Sequence, residues 1–202
     1  MNTDNELVTV IITTYRATGR LSEAIDSVIN QSYSNYEVIV VDDNLPNSES
    51  RKYTEKIMEK YNSNSKIIYI KHDYNKNGAA ARNTGIRAAH GSFIAFLDDD
   101  DIYYPKRLEK CVNALVGNPE YGAVYSSVDI YKKNEYLDTR KATENGCIWK
   151  KILLNEGLLG TGSNLFLKQS VVKKVGFFDE RFLRYQDVEY MLRVTEKEKI
   201  LS

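Results

Sequence analysis

Two stretches in the first 41 residues, Val8-Thr9-Val10-Ile11-Ile12 and Val38-Ile39-Val40-Val41, are β-branched and apolar at nearly every position rather than at every second one. A strand with one wet face alternates, so a continuously apolar strand needs cover on both faces, the situation of a parallel sheet between helices. Between the two, Leu21, Ala24, Ile25, Val28 and Ile29 recur at helical spacing. Strand, helix and strand make a βαβ unit, whose crossover is expected to be right-handed. The chain is therefore expected to be α/β, a Rossmann-like mixed, mostly parallel sheet flanked by helices.

The pattern continues with a helix over 51–61, a strand over 66–70, a helix over 79–89 and a strand over 92–97. Pro105 is expected to open a helix reaching residue 116. An apolar strand over 123–128 precedes a polar stretch, 132–145, read as an exposed excursion or edge hairpin. Then come an apolar segment 148–154, a glycine-rich stretch 157–162, a strand 164–168 and helices over 170–175 and 187–198. No repeat or linker divides the 202 residues, and 42% hydrophobic content suits a single domain.

Charge and cysteine content exclude several classes. Lys plus Arg equals Asp plus Glu at 28 each, which leaves no field to draw the chain onto nucleic acid or an anionic membrane, so anion binding must be local. Cys111 and Cys147 are far apart, without CxxC spacing or clustered histidines, which argues against a zinc site or disulfide framework and for a reduced, cytoplasmic chain. The apolar run 7–12 is too short for a membrane span or a signal sequence.

In open α/β sheets ligands sit beyond the carboxyl ends of strands, and three such ends here are polar. Thr13-Thr14-Tyr15-Arg16 follows the first strand and Asp42-Asp43-Asn44 the second; together they offer hydroxyls, an aromatic face and carboxylates suited to a nucleoside, although the second triplet also suits a turn and helix cap. After Phe93-Ile94-Ala95-Phe96-Leu97 stand four aspartates, Asp98 to Asp101. Consecutive carboxylates after a buried strand repel one another and are costly to desolvate. A hard divalent cation held by one or two of them, with diphosphate oxygens completing its shell, resolves this; a cap formed by Asp101 accounts for one aspartate only.

Asn77 to Asn83 precedes or opens a helix, where Gly78 permits close approach and Arg82 can grip a phosphate with two parallel hydrogen bonds. Arg184-Tyr185-Gln186-Asp187-Val188-Glu189 puts carboxylates at a helix start, and Asp187 suits a general base; capping is the competing use.

Taken in order, Val8 to Tyr15, Gln31-Ser32-Tyr33, Glu37 to Asp43, Ala81 to Ile86, Phe96 to Asp101 with Pro105, and Gly176-Phe177-Phe178-Asp179-Glu180 resemble glycosyltransferase family 2, inverting enzymes with a GT-A nucleotide-binding fold. The resemblance implies one domain with a nucleotide-binding half (1–105) and an acceptor-side half (106–202), the latter shortened at its C-terminus relative to the family. It implies that Thr13 and Tyr15 line the nucleotide pocket, Asp43 contacts the base with Asp42 beside it, and Arg82 lies near the diphosphate. The family's Asp-any-Asp motif falls on Asp98 and Asp100, with Asp100 the direct ligand of Mn²⁺ or Mg²⁺, Asp98 beside it and the ribose or sugar, and Asp99 competing for that place. The catalytic base falls on Asp187, while the glutamate that precedes it in the family is Gln186 here.

The implied activity is transfer of a sugar from a nucleotide-diphospho-sugar, a UDP-sugar first, to an acceptor hydroxyl on a glycan or lipid-linked saccharide. Such work in surface-polysaccharide synthesis places the chain in the cytoplasm, with peripheral contact at the inner membrane face. A sugar nucleotidyltransferase is the alternative enzyme, but it calls for a glycine-rich, lysine-bearing loop where Thr13 to Arg16 stand. A non-catalytic sugar-nucleotide or metal-binding module is the other alternative.

Overall fold

The computed structural model describes residues 6–17, 19–154 and 162–202. A seven-stranded sheet runs in the order β3-β2-β1-β4-β8-β5-β9, with β1 at Val8–Thr14, β2 at Tyr36–Asp42, β3 at Ile67–Lys71, β4 at Phe93–Asp98, β5 at Ala123–Tyr125, β8 at Leu165–Lys168 and β9 at Ile200–Leu201. All neighbours pair parallel except those of β8, which runs antiparallel to both β4 and β5. The sheet is thus mixed and mostly parallel, as expected.

The apolar runs are continuous because each strand feeds two cores. Val8, Val10 and Ile12 pack on one face with Leu21, Ala24, Ile25 and Val28 of helix α1 (Leu21–Ile29) and with Leu108, Val112 and Leu115 of α4 (Arg107–Gly117). On the other face Ile11 joins Ile94 and Phe96 against Ile86 of α3 (Gly78–Ala88), Val172 of α6 (Gln169–Val175) and Tyr190 of α7 (Gln186–Lys197). Helix α3 lies so close to β1 that a Cβ on Gly85 would fall 2.3 Å from Ile11 Cγ2. Glycine is required there for packing rather than for backbone freedom.

Three expectations shift. The helix after Pro105 begins at Arg107, because Gln31 ties down the residues before it: its amide donates to Tyr104 O at 2.8 Å and accepts from Leu108 N at 3.0 Å. The single strand expected over 123–128 is divided. β5 ends at Tyr125, the Ser126 hydroxyl accepts from Arg107, and Val128–Lys132 (β6) pairs instead with Glu135–Arg140 (β7) as an exposed hairpin turned by Lys133 and Asn134 at positive φ. The helix expected over 51–61 is α2 (Glu49–Met58), capped by Ser48 and followed by a 3₁₀ turn at Glu59–Tyr61. The segment 148–154 forms the short helix α5 (Trp149–Leu153), while most of the glycine-rich stretch, 157–161, lies outside the described residues. Among the described residues no helix is long and apolar enough to cross a membrane.

Candidate active site

Parallel register brings the carboxyl ends of three strands level, with Thr14 opposite Asp42 and Thr13 opposite Asp98. Just beyond them lies a cleft of about 440 Å³ lined by Thr13, Thr14, Tyr15, Asp43, Asn75, Asn77, Gly78, Ala81, Arg82 and Asp98 to Asp100. It therefore gathers Thr13, Tyr15, Asp43, Arg82, Asp98, Asp99 and Asp100 from the sequence-derived set. Asp42 and Asp187 are not among the lining residues.

The adjacent aspartates after β2 have different surroundings. Asp42 is fully buried: its carboxylate accepts from Asn44 N at 2.9 Å and from the Tyr69 hydroxyl at 2.6 Å. Arg51 Nε lies 2.9 Å from it without aiming its N–H at the oxygen, so that contact is one of charge rather than a hydrogen bond. Asp42 thus anchors the strand end, and alternation along the strand turns its side chain away from the cleft. Asp43 faces the cleft and also organises its wall. One oxygen accepts from Lys76 N and contacts His72 Nδ1, both at 2.8 Å, while the other accepts from Asn75 Nδ2 at 2.8 Å and Asn77 N at 2.9 Å.

That wall ends in Asn77, held at φ 88° and capping α3 by accepting from Ala80 N at 3.1 Å. One turn on, Arg82 donates to Asp98 Oδ1 at 2.7 Å and to Gln186 Oε1 at 3.3 Å, its guanidinium 5.7 Å from the centroid of Phe178. Arg82 is the cationic side chain among the described lining residues.

Opposite stand the aspartates. Asp98 N donates to the Ser163 hydroxyl at 2.9 Å, which in turn donates to Asp101 at 2.6 Å, so Asp101 braces the chain rather than capping α4. Thr14 donates its hydroxyl to Asp99. Burial above all, with repulsion from Asp100 and Asp98, raises Asp99 from the usual 3.8 to about 6 against the opposing pull of that hydrogen bond. Asp100 is exposed at the cleft. Among the described residues no three His, Cys, Asp or Glu side chains converge into a closed metal cage. The donor set, carboxylates at an open cleft carrying more negative charge than one arginine offsets, suits a hard cation that takes the rest of its shell from a ligand.

Asp187 stands second in α7, and its side chain makes no hydrogen bond or ion pair with another described residue; its neighbour Gln186 makes the contact with Arg82. Sequence reasoning missed what holds this region in place. Asn83 donates to Phe178 O at 2.9 Å and Glu180 Oε1 at 2.8 Å and accepts from Phe178 N at 2.8 Å, while Phe178 stacks on Tyr190 with centroids 3.9 Å apart. The Asn83 and Gly176-to-Glu180 segments were both visible in the sequence, 95 residues apart, but nothing in either spelled out that they meet.

Comparison with known proteins places this geometry. Residues 9–176 match the description Glycosyl transferase family 2. A relative, the Escherichia coli UDP-Glc:alpha-D-GlcNAc-diphosphoundecaprenol beta-1,3-glucosyltransferase, is 34% identical over 155 residues, covering 77% of this chain and 58% of its own length. Among solved structures, Staphylococcus aureus TarS 1-349 in complex with UDP-GlcNAc superposes with TM-score 0.75 at 19% identity, over 96% of this chain and 56% of that one. A Pyrobaculum calidifontis mannosyltransferase in complex with GDP-Man and Mn2+ gives 0.70 at 18%, over 96% and 54%. The chain spans about three-fifths of the length of the curated relatives it matches. A GT-A sheet, a polar cleft at its carboxyl edge and a match across most of the sequence lead to one assignment: the chain belongs to glycosyltransferase family 2.

Proposed function

We propose that the chain transfers a sugar, with inversion, from a nucleotide-diphospho-sugar to an acceptor hydroxyl. The observation that carries this reading is the row Asp98-Asp99-Asp100 facing Arg82 across a cleft at the carboxyl edge of the sheet, with Asp99 raised to about 6. So much negative charge gathered at one cleft is costly unless a cation shares it, and the cation in turn would draw in a diphosphate.

In this reading Thr13, Tyr15 and Asp43 take the nucleoside, Arg82 takes the diphosphate, and Asp98 or Asp99 lies by the ribose or sugar. Asp100 and Asp98 would hold Mn²⁺ or Mg²⁺. When bound, the cation offsets the negative charge that develops on the nucleoside diphosphate as the glycosidic bond breaks. Asp187 receives the proton of the acceptor hydroxyl as its oxygen attacks the anomeric carbon from the face opposite the leaving group, so one displacement inverts that carbon.

A UDP-sugar donor and a glycan or lipid-linked acceptor are supported by the relative whose name specifies UDP-Glc and a diphosphoundecaprenol-linked substrate; in this reading the two would meet at the inner face of the membrane during surface-polysaccharide synthesis. Calorimetry with UDP and GDP, with and without Mn²⁺, tests the core of the reading. Cation-dependent binding is expected for one nucleotide and is expected to vanish in Asp100→Ala. Binding of neither nucleotide by the wild type sinks the proposal.

A further inference from the structure

Arg82 is held by two partners of unlike charge. On one side Asp98 offers a carboxylate at 2.7 Å; on the other Gln186 offers an amide oxygen at 3.3 Å, while the same amide donates through Nε2 to Phe182 O at 2.7 Å. That second bond fixes which end of the amide faces the guanidinium. Space for the contact is left by Gly78, where a Cβ would stand 3.0 Å from Gln186 Oε1 and 3.1 Å from Arg82 Nη1. Gln186 also opens α7 and is bonded directly to Asp187.

We propose that Gln186 is a positioning residue that holds Arg82 at the diphosphate end of the cleft without neutralising it, and in doing so ties the start of the helix bearing Asp187 to the donor. This deepens the glycosyltransferase reading and rests on it. The physical reason lies in what an amide does differently from a carboxylate of the same shape. Both accept from a guanidinium, but a carboxylate would engage Arg82 as an ion pair and add a negative charge beside Asp98, Asp99 and Asp100. Two acids would then compete with the incoming diphosphate for one arginine. With glutamine there, Asp98 is the acid to be displaced, and Arg82 can turn from it to the phosphates while its amide contact persists.

The test is calorimetric titration of the full chain with UDP in the presence of Mn²⁺, at low and high salt, for wild type, Gln186→Glu and Gln186→Ala, with GDP titrated into the wild type alongside. Gln186→Glu is expected to weaken UDP binding about ten-fold at low salt, with the deficit shrinking as salt screens the added charge. Gln186→Ala adds no charge, and its UDP affinity is expected to stay within about three-fold of wild type at either salt, while its turnover of donor falls because α7 has lost its tether. A merely structural role for Gln186 would not produce a salt-dependent difference between the two variants. Equal UDP binding by wild type and Gln186→Glu at low salt overturns this inference alone. So does an equal, salt-independent loss in both variants. A wild type that binds neither UDP nor GDP defeats the glycosyltransferase reading itself, and this inference with it.

Discussion

Every described residue lining the cleft falls between Thr13 and Asp100, while residues 106–202 reach it through contacts with that lining: Ser163 on Asp98, Gln186 on Arg82 and the Phe178 ring under the same arginine. The first half builds its site from neighbouring strand ends that parallel register holds level. The second half contributes turns and a helix start that must be brought in from far along the chain. A cleft lined by strand ends is a local property of the sheet; the segments that brace it from far along the chain depend on docking. Changes at the strand ends should therefore act on nucleotide binding and loss of Asp187 on turnover, while Gln186 and Asn83, which bridge the two halves, cross that division.

The sharpest test is Asp187→Asn. Transfer should fall by about 10²- to 10⁴-fold, equivalent to roughly 3–5 kcal/mol of barrier, with nucleotide affinity unchanged. A matching loss of UDP affinity in calorimetry would break the division of labour between the halves. Next in size, Asn83→Ala removes the buried amide that joins α3 to the segment before α7, and should cost about 2–3 kcal/mol in denaturant unfolding because the Phe178 N–H and carbonyl lose their partner. An effect below about 0.5 kcal/mol would mean that the halves are held together elsewhere.

A smaller effect concerns pH. The folded value of Asp99, about 6, lies above the usual 3.8, so the folded chain binds this proton more tightly than the unfolded chain, and rising pH across that interval costs stability. Asp99→Asn should abolish that cost, gaining of order 1 kcal/mol over wild type at pH 7 relative to pH 3 after allowance for solvent screening. Melting curves of both proteins across pH check the sign, and a variant that loses ground as pH rises contradicts it. Least of all, Tyr136→Ala in the exposed β6–β7 hairpin should move stability by no more than about 0.5 kcal/mol and leave UDP binding alone.

The same division governs what could be read in advance. Strands β1, β2 and β4 and their polar ends were legible because two-sided burial writes itself as an unbroken apolar run. Asp42 could not be told from Asp43 in the sequence, since only Arg51 and Tyr69, brought in by the fold, decide which of the two buried carboxylates turns away from the cleft. The break after Tyr125 was hidden because both sides of it are apolar, and the serines that end the strand act through partners as distant as Arg107 and Ala142. The insertion of β8 between β4 and β5 left no local mark, because pairing partners are chosen by packing and not by the strand's own composition.

That insertion sets an order in time. The block β3-β2-β1-β4 has all its strands once residue 98 has been synthesised, whereas both sheet neighbours of β5, β8 and β9, come later in the chain than β5 itself. During synthesis the Ala123–Tyr125 strand must wait some forty residues for its first hydrogen-bonding partner, and longer for its second. Every described residue lining the cleft can thus be in place on a nascent chain before Ser163, Phe178 and Gln186, which brace that lining, have been made.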